Sequence, residues 1–267
     1  MLSSFTITLC QTSAGEWTAP EATGGFVRGM FYDLLRSTFP ELADEIHSSS
    51  LDAPFTVSPL MRMRSEEGEA PSYRVRFTTM TEPVFDAVCR ALYARHKSGE
   101  SVRLSKADFE IRSLDFKDRR GLCRLARYED LLNAPPLQTF AFRFMTPTAF
   151  KNGRMNVPLP IPRLMFQGYL RKWNRFAPPD LRIEDSLAAE VEEGVAISRH
   201  DIRTRVLDMQ AMKMIGFTGE CVLAASAMET ARLRELSALA RFARFSGTGA
   251  KTTIGMGQTG VGEMGNG

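Results

Sequence analysis

Apolar and polar positions along the chain follow two different periods, and their alternation predicts the architecture. Phe5-Thr6-Ile7-Thr8-Leu9 alternates as a half-buried strand does. Beyond a Gly- and Pro-containing stretch, Val27, Met30, Phe31, Leu34 and Leu35 fall on one stripe, which predicts a helix over about 25–39. Pro40 ends that helix or opens a new turn, because its ring is excluded from a helix interior. Phe55-Thr56-Val57 and Ser72-Tyr73-Arg74-Val75-Arg76-Phe77 read as hairpin arms around the polar segment Ser65-Glu66-Glu67-Gly68-Glu69. Val84, Phe85, Val88 and Leu92 mark a second helix over 82–97, and residues 101–117 return as extended chain.

The order is β-α-β-β-α-β, the split βαβ arrangement of a ferredoxin-like unit. After Asn133-Ala134-Pro135-Pro136, read as a linker, a similar order begins again. It has a strand over 137–145, an irregular segment, a helix near 164–176, extended stretches over 195–209 and 214–225, and a helix over 230–245. The expected fold is α+β: two tandem ferredoxin-like (RRM-like) domains, over residues 1–130 and 137–267. Phe140, Phe142 and Phe144 share one face of the strand that opens the second domain and are expected in its core.

The composition, 43% hydrophobic and 24% charged, is that of a globular chain and not of a disordered one. No run nears the roughly 20 apolar residues of a membrane helix, and no basic stretch precedes the first strand. Cys10, Cys89, Cys123 and Cys221 lie far apart without metal-ligand spacing, so reduced thiols in a cytoplasmic protein without a metal site are expected. Net charge is +3, but residues 1–53 hold two arginines against seven acids, whereas residues 131–267 hold seventeen basic groups against twelve acids. Arginine outnumbers lysine, which suits bidentate phosphate contacts. Charge permits an RNA partner without demonstrating one.

The most specific local pattern is Ser246-Gly247-Thr248-Gly249-Ala250-Lys251-Thr252-Thr253-Ile254-Gly255-Met256-Gly257-Gln258. It is not a P-loop: Ala250 stands where Gly must precede the lysine, and Phe245 stands five residues earlier. Gly247, Gly249, Gly255 and Gly257 beside Lys251 suit backbone amides converging on an oxyanion, or close approach of a polyanion. The intervening Thr, Ile and Met suit a strand, whereas the glycine-rich end after Gly260 reads as a solvated tail.

This segment resembles the C-terminal glycine-rich signature of the Cas6 endoribonucleases, members of the RAMP superfamily of CRISPR-associated proteins. Thr146-Pro147-Thr148-Ala149-Phe150 is similar to the family's motif after the first strand of the second domain. Pro54-Phe55-Thr56-Val57-Ser58-Pro59-Leu60 is similar to its second strand. The resemblance implies an endoribonuclease that cuts CRISPR repeat RNA in precursor transcripts without metal or cofactor, using the substrate's 2′-hydroxyl as nucleophile. Other Cas proteins of an interference complex are implied partners. The alternative is a non-catalytic RAMP-type subunit that binds guide RNA in such a complex.

Metal-free RNA cleavage needs a base for the 2′-hydroxyl proton, an acid for the departing 5′-oxygen and groups that steady the phosphorane charge. Histidine suits either proton role. The resemblance places the catalytic histidine in the loop between the first helix and the Pro54–Leu60 strand, which selects His47. His96 closes the second helix, where a cation favours the carbonyl end, and His200 reads as a surface turn. Tyr32 lies off the apolar stripe between Arg28 and Arg36, each one helical turn away, and relatives in the family carry a tyrosine on this helix. Tyr32 is therefore the second catalytic candidate, with Arg28, Arg36, Gly247, Gly249, Lys251, Gly255 and Gly257 as RNA-binding candidates. Family members with a lysine shortly after the histidine have no counterpart here, where Ala53 stands; Arg62 and Arg64 are the nearest cations. Arg234, Arg241 and Arg244 on the last helix either touch phosphates or solvate the helix.

Overall fold

The computed structural model describes residues 1–12, 19–20, 22–48, 52–64, 70–117, 121–208, 213–226 and 228–263. The expected turn over 65–69, Ser49-Ser50 and the last four residues lie outside them. The chain forms two compact units. The N-terminal unit is Leu2–Leu125 together with Thr253–Gly255, and the C-terminal unit holds Ala126–Thr252 and Met256–Gly267.

The N-terminal unit runs β1 (Leu2–Gln11), α1 (Gly24–Thr38), α2 (Pro40–Ser48), β2 (Phe55–Val57), β3 (Met61–Arg62), β4 (Ser72–Thr79), α3 (Glu82–Ser98), β5 (Val102–Leu104) and β6 (Ala107–Asp115), with β7 (Arg124–Ala126) at the division. Sheet order is β2-β4-β1-β6-β5, with β3 beside β4, so the first strand sits between the third and fourth of the split βαβ pattern. The alternation read in the sequence is the register observed: Phe5 faces Phe77 and Ile7 faces Val75. That face packs against the predicted stripe of α1, where Val27, Phe31, Leu34 and Leu35 are fully buried. The opposite face is polar and also covered. Buried Arg76 donates from Nε to Ser4 Oγ at 2.9 Å, and Ser4 Oγ donates to the Leu122 carbonyl.

Two details differ from the sequence expectation. Pro40 does not merely stop α1; it occupies the first position of α2, where its missing N–H costs nothing. His47 is therefore in the last turn of a helix and not in a loop. The extended stretch 101–117 is a hairpin that turns at Ser105, which has φ 56°.

The C-terminal unit runs α4 (Tyr128–Asn133), β8 (Thr139–Thr148), β9 (Phe150–Asn152), β10 (Met155–Val157), α5 (Pro162–Phe176), α6 (Leu187–Gly194), β11 (Val195–Asp208), β12 (Lys213–Ala225), α7 (Thr230–Ser246) and β13 (Thr259–Glu263). Its sheet order, β11-β12-β8-β13, repeats the connectivity of the first unit. α4, which the sequence pattern does not single out, packs here, with the Tyr128 ring edge-on to Trp173 at 4.8 Å. Phe140, Phe142 and Phe144 are core residues as expected, in ring contact with Phe166, Tyr169 and Phe217. His200 lies within β11, paired with Cys221, and not in a turn.

The end of the chain corrects the expectation of a solvated tail. Thr259–Glu263 is an edge strand: Val261 pairs with Phe142 and Glu263 with Phe140. Arg244 donates to the Val261 carbonyl at 2.7 Å and Arg241 to the Pro135 carbonyl at 2.7 Å, so both hold structure instead of solvating the helix. Between α7 and β13, residues Thr252–Ile254 form a 3-10 turn where strand was expected.

Candidate active site and nucleic-acid interface

The apolar stripe that buries α1 leaves Tyr32 at its margin. The Tyr32 ring is buried, edge-on to Phe55 at 5.6 Å and to Phe31 at 6.4 Å. Phe31 and Phe55 stack at 4.0 Å, so the tyrosine rests on a rigid aromatic floor. The connection through Phe39 and Pro40 turns α2 back against α1, where Ala43 and Ile46 are buried and the next residue, His47, is exposed. The His47 ring meets Tyr32 edge-on, with centroids 5.1 Å apart and planes at 87°. One turn before Tyr32, the Arg28 guanidinium lies 5.4 Å from the tyrosine ring centroid, within cation–π reach.

Three sequence candidates, Arg28, Tyr32 and His47, therefore meet. Among the described residues, neither the Tyr32 hydroxyl nor the His47 ring nitrogens have a hydrogen-bond partner. An imidazole and a phenol in ring contact, neither bonded to another described side chain, are groups that can exchange protons with a bound substrate. Arg36 is placed otherwise, paired with Asp44 of α2 at 3.4 Å, an exposed contact of small energetic weight. Arg62 and Arg64 are exposed on and just after β3.

The glycine-rich segment is a built loop. Gly247, Gly249, Gly255 and Gly257 have φ of 63°, 78°, 95° and 67°, the left-handed region that L side chains rarely adopt. A Cβ on Gly249 would collide with the Ala149 carbonyl, and one on Gly257 with the Thr248 carbonyl. Thr248 N donates to Gly257 O at 2.9 Å, Ala250 N to Ala149 O at 2.9 Å, and Gly257 N to Pro147 O at 3.1 Å. Gln258 N donates to Thr146 Oγ1 at 2.9 Å. These four amides are engaged inside the protein and are not free donors; three of their acceptors come from the Thr146–Phe150 motif and the fourth, Gly257 O, from the loop itself. α5 secures the loop from beneath. The Tyr169 hydroxyl and Thr248 Oγ1 lie 2.7 Å apart, and buried Lys172 donates from Nζ to the Ser246 carbonyl at 2.6 Å and to Thr252 Oγ1 at 3.1 Å. Lys251 is exposed, and its φ of 61° is unusual for a residue with a side chain.

Sequence reading missed Gly24, Tyr169 and Lys172. A Cβ on Gly24 would strike the Ile254 carbonyl within the N-terminal unit. Tyr169 and Lys172 sit on the helix predicted near 164–176, but no local pattern marks what they bind.

No helix among the described residues is long and apolar enough to cross a membrane, and no group of His, Cys, Asp and Glu among them is arranged to hold a metal. The four cysteines are free. Burial, aided by Asp86, pushes the Cys89 thiol up to about 12, and burial pushes Cys221 up to about 11, so both stay protonated and unreactive.

Comparison with known proteins bears on the fold and on residues 142–259. The family model for CRISPR-associated endoribonuclease Cas6 matches residues 142–259, from β8 through the glycine loop to the first residue of β13. A structure solved as a Cas6 product complex superposes with a TM-score of 0.83 at 28% identity, covering 98% of this chain and 100% of its own. The chain is similar to the Cas6 proteins. The Cas6 of Mycobacterium tuberculosis strain H37Rv is 32% identical over 123 residues, 46% of this chain and 38% of that protein. The Streptococcus thermophilus Cas6 is 28% identical over 129 residues, 48% of this chain and 53% of its own length. These sequence matches thus span about four-tenths to half of the curated relatives. Thermus thermophilus Cas6 superposes over 98% of both chains, with a TM-score of 0.73 and 27% identity. The tandem ferredoxin-like fold is shared with these Cas6 structures.

Proposed function

We propose that this chain is a metal-independent endoribonuclease that cleaves CRISPR repeat RNA within precursor transcripts to produce guide RNAs. The observation that carries the reading is the edge-on Tyr32–His47 pair beside Arg28, in a chain similar to the Cas6 proteins. The Mycobacterium tuberculosis and Streptococcus thermophilus relatives are named endoribonucleases, and a similar Cas6 structure was solved as a product complex.

The substrate's 2′-hydroxyl attacks the adjacent phosphorus. The new bond is 2′-O–P, the bond broken is P–O5′, and the products are a 2′,3′-cyclic phosphate and a 5′-hydroxyl. One proton leaves the 2′-hydroxyl and one reaches the departing 5′-oxygen. His47 serves one of these transfers, having its ring nitrogens exposed and otherwise unbonded. The Tyr32 hydroxyl, directed by its aromatic floor, serves as donor to the other oxygen or to the phosphorane. Arg28 supplies positive charge beside them.

The test is cleavage of a repeat-containing transcript in excess EDTA with both product ends analysed. A cyclic phosphate and a 5′-hydroxyl are expected at undiminished rate. Loss of cleavage on chelation, restored by a divalent metal, would overturn the mechanism. Tight binding without any cleavage would favour a guide-RNA-binding subunit.

A further inference from the structure

Between Asp130 and Asp180 the chain carries seven basic residues and no acid. Five of the seven are engaged within the protein. Arg143 and Arg163 pair with Glu220 and Glu192, at 3.9 and 2.7 Å. Arg171, Lys172 and Arg175 have partners as well. Lys151 and Arg154 are left exposed, and among the described residues their side chains enter no ion pair or hydrogen bond. Both belong to the β9–β10 hairpin.

This hairpin is a two-stranded sheet of its own, in which Asn152 pairs with Met155 and Lys151 with Asn156. Its two-residue turn is Gly153-Arg154, and Gly153 has φ 59°, as the first turn position of a type II′ hairpin requires. A free-standing pair of strands is marginal in water, so this one needs an anchor. The anchor is Phe150, buried, with its ring stacked toward Phe217 at 6.4 Å. Beyond it the run from Lys151 to Asn156 is exposed throughout, Met155 at 72%. The side chains of Asn152 and Asn156 have no hydrogen-bond partner among the described residues. The tip therefore adds little to the core, while the tight turn holds two cations and two amides in a fixed array.

We infer that the β9–β10 hairpin is an arm that binds the phosphate backbone of the RNA, with Lys151 and Arg154 as the contacting cations. The inference rests on the RNA-processing reading above but concerns a part of the C-terminal unit that carries none of the groups assigned to cleavage. A polyanion releases its condensed counterions when it meets such cations, and unpaired side chains provide this without breaking an ion pair. Arg154, in the turn, offers a bidentate fork, and Lys151 a point charge. Asn152 and Asn156 can both donate and accept, so they suit phosphate oxygens and base edges alike, which favours a nucleic-acid strand over an acidic protein surface.

Both positions are exposed, so substitution leaves the fold intact, and unfolding midpoints check this. Binding isotherms for repeat RNA at several salt concentrations are compared for wild-type, Lys151→Ala with Arg154→Ala, Lys151→Glu with Arg154→Glu, and Arg154→Lys proteins. The double alanine variant should make the log-affinity versus log-salt slope shallower by about 1.4, the loss of two single-strand phosphate contacts. The double glutamate variant should lose about tenfold or more in affinity at low salt, and Arg154→Lys less than about threefold, since the charge decides. Single-turnover cleavage at saturating protein should stay at the wild-type rate in all three, because neither residue takes part in the chemistry. Repeat-RNA binding by the wild-type protein, combined with wild-type affinity and an unchanged slope for both double variants, would overturn the arm and leave the enzymatic reading standing. Absence of repeat-RNA binding by the wild-type protein would overturn both.

Discussion

The two regions that carry the functional candidates are built in opposite ways. The glycine loop is held by its own amides, by two side chains of α5 and by four backbone conformations that exclude side chains. His47 is held by the end of a short helix and one ring contact. Changing the loop should therefore be felt in the fold, whereas changing His47 or the Tyr32 hydroxyl should be felt in chemistry. Glycine-richness is not looseness here, and the lightly held residue is the one available to a substrate.

The largest expected effect breaks the loop. Gly249→Val or Gly257→Val adds a branched side chain at positive φ against a carbonyl, and should destabilise the C-terminal unit by about 3 kcal/mol or more. Thermal and denaturant unfolding measure this. Tm values within a degree of wild type would show that the loop is adaptable. Next is Tyr32→Phe, which keeps the ring on Phe55 and removes only the hydroxyl. Single-turnover cleavage at saturating protein should slow about 10²-fold with unfolding unchanged, the cost of one transition-state donor. An unaltered rate would assign Tyr32 to the aromatic floor alone.

Ending the chain after Gly260 removes the pairing of Val261–Glu263 with β8 and the acceptor of Arg244. It should cost about 2 kcal/mol of stability, seen as a lower denaturant midpoint. The smallest effect has the opposite sign. Gly29, inside α1 with nothing within 4 Å of a Cβ, should tolerate alanine and gain up to about 1 kcal/mol. A loss at Gly29 would mean that the contrast between helix and loop glycines has been drawn wrongly.

Periodicity in the sequence was enough for both split βαβ units, because each strand and helix buries one face and the stripe records it: Val27–Leu35 and Phe140–Phe144 are examples. It failed where burial is partial or the signal non-local. α2 has only Ala43 and Ile46 inside, so no stripe announces it, and His47 was placed in a loop. β13 reads as tail because Gly260 and Gly262 have no β preference; its order comes from the backbone of β8. β11 is exposed along most of its length, so its middle looked like a turn around His200. Tyr32 and Arg28 were legible from helical spacing, which also brought in Arg36, a residue turned instead toward Asp44. The loop glycines were legible as special, but the reason was not. That reason is the carbonyls of Ala149 and Thr248, and the first of these lies a hundred residues away in the chain.

The account stands most directly on His47. Repeat RNA is mixed with excess wild-type or His47→Ala protein in EDTA, and cleavage rate and dissociation constant are measured on the same preparations. Proton transfer by one positioned side chain contributes about 10²–10⁴-fold, so the variant should cleave slower by that factor while binding within about threefold of wild type. Cleavage by His47→Ala at the wild-type rate would contradict the assignment of the chemistry to this exposed histidine.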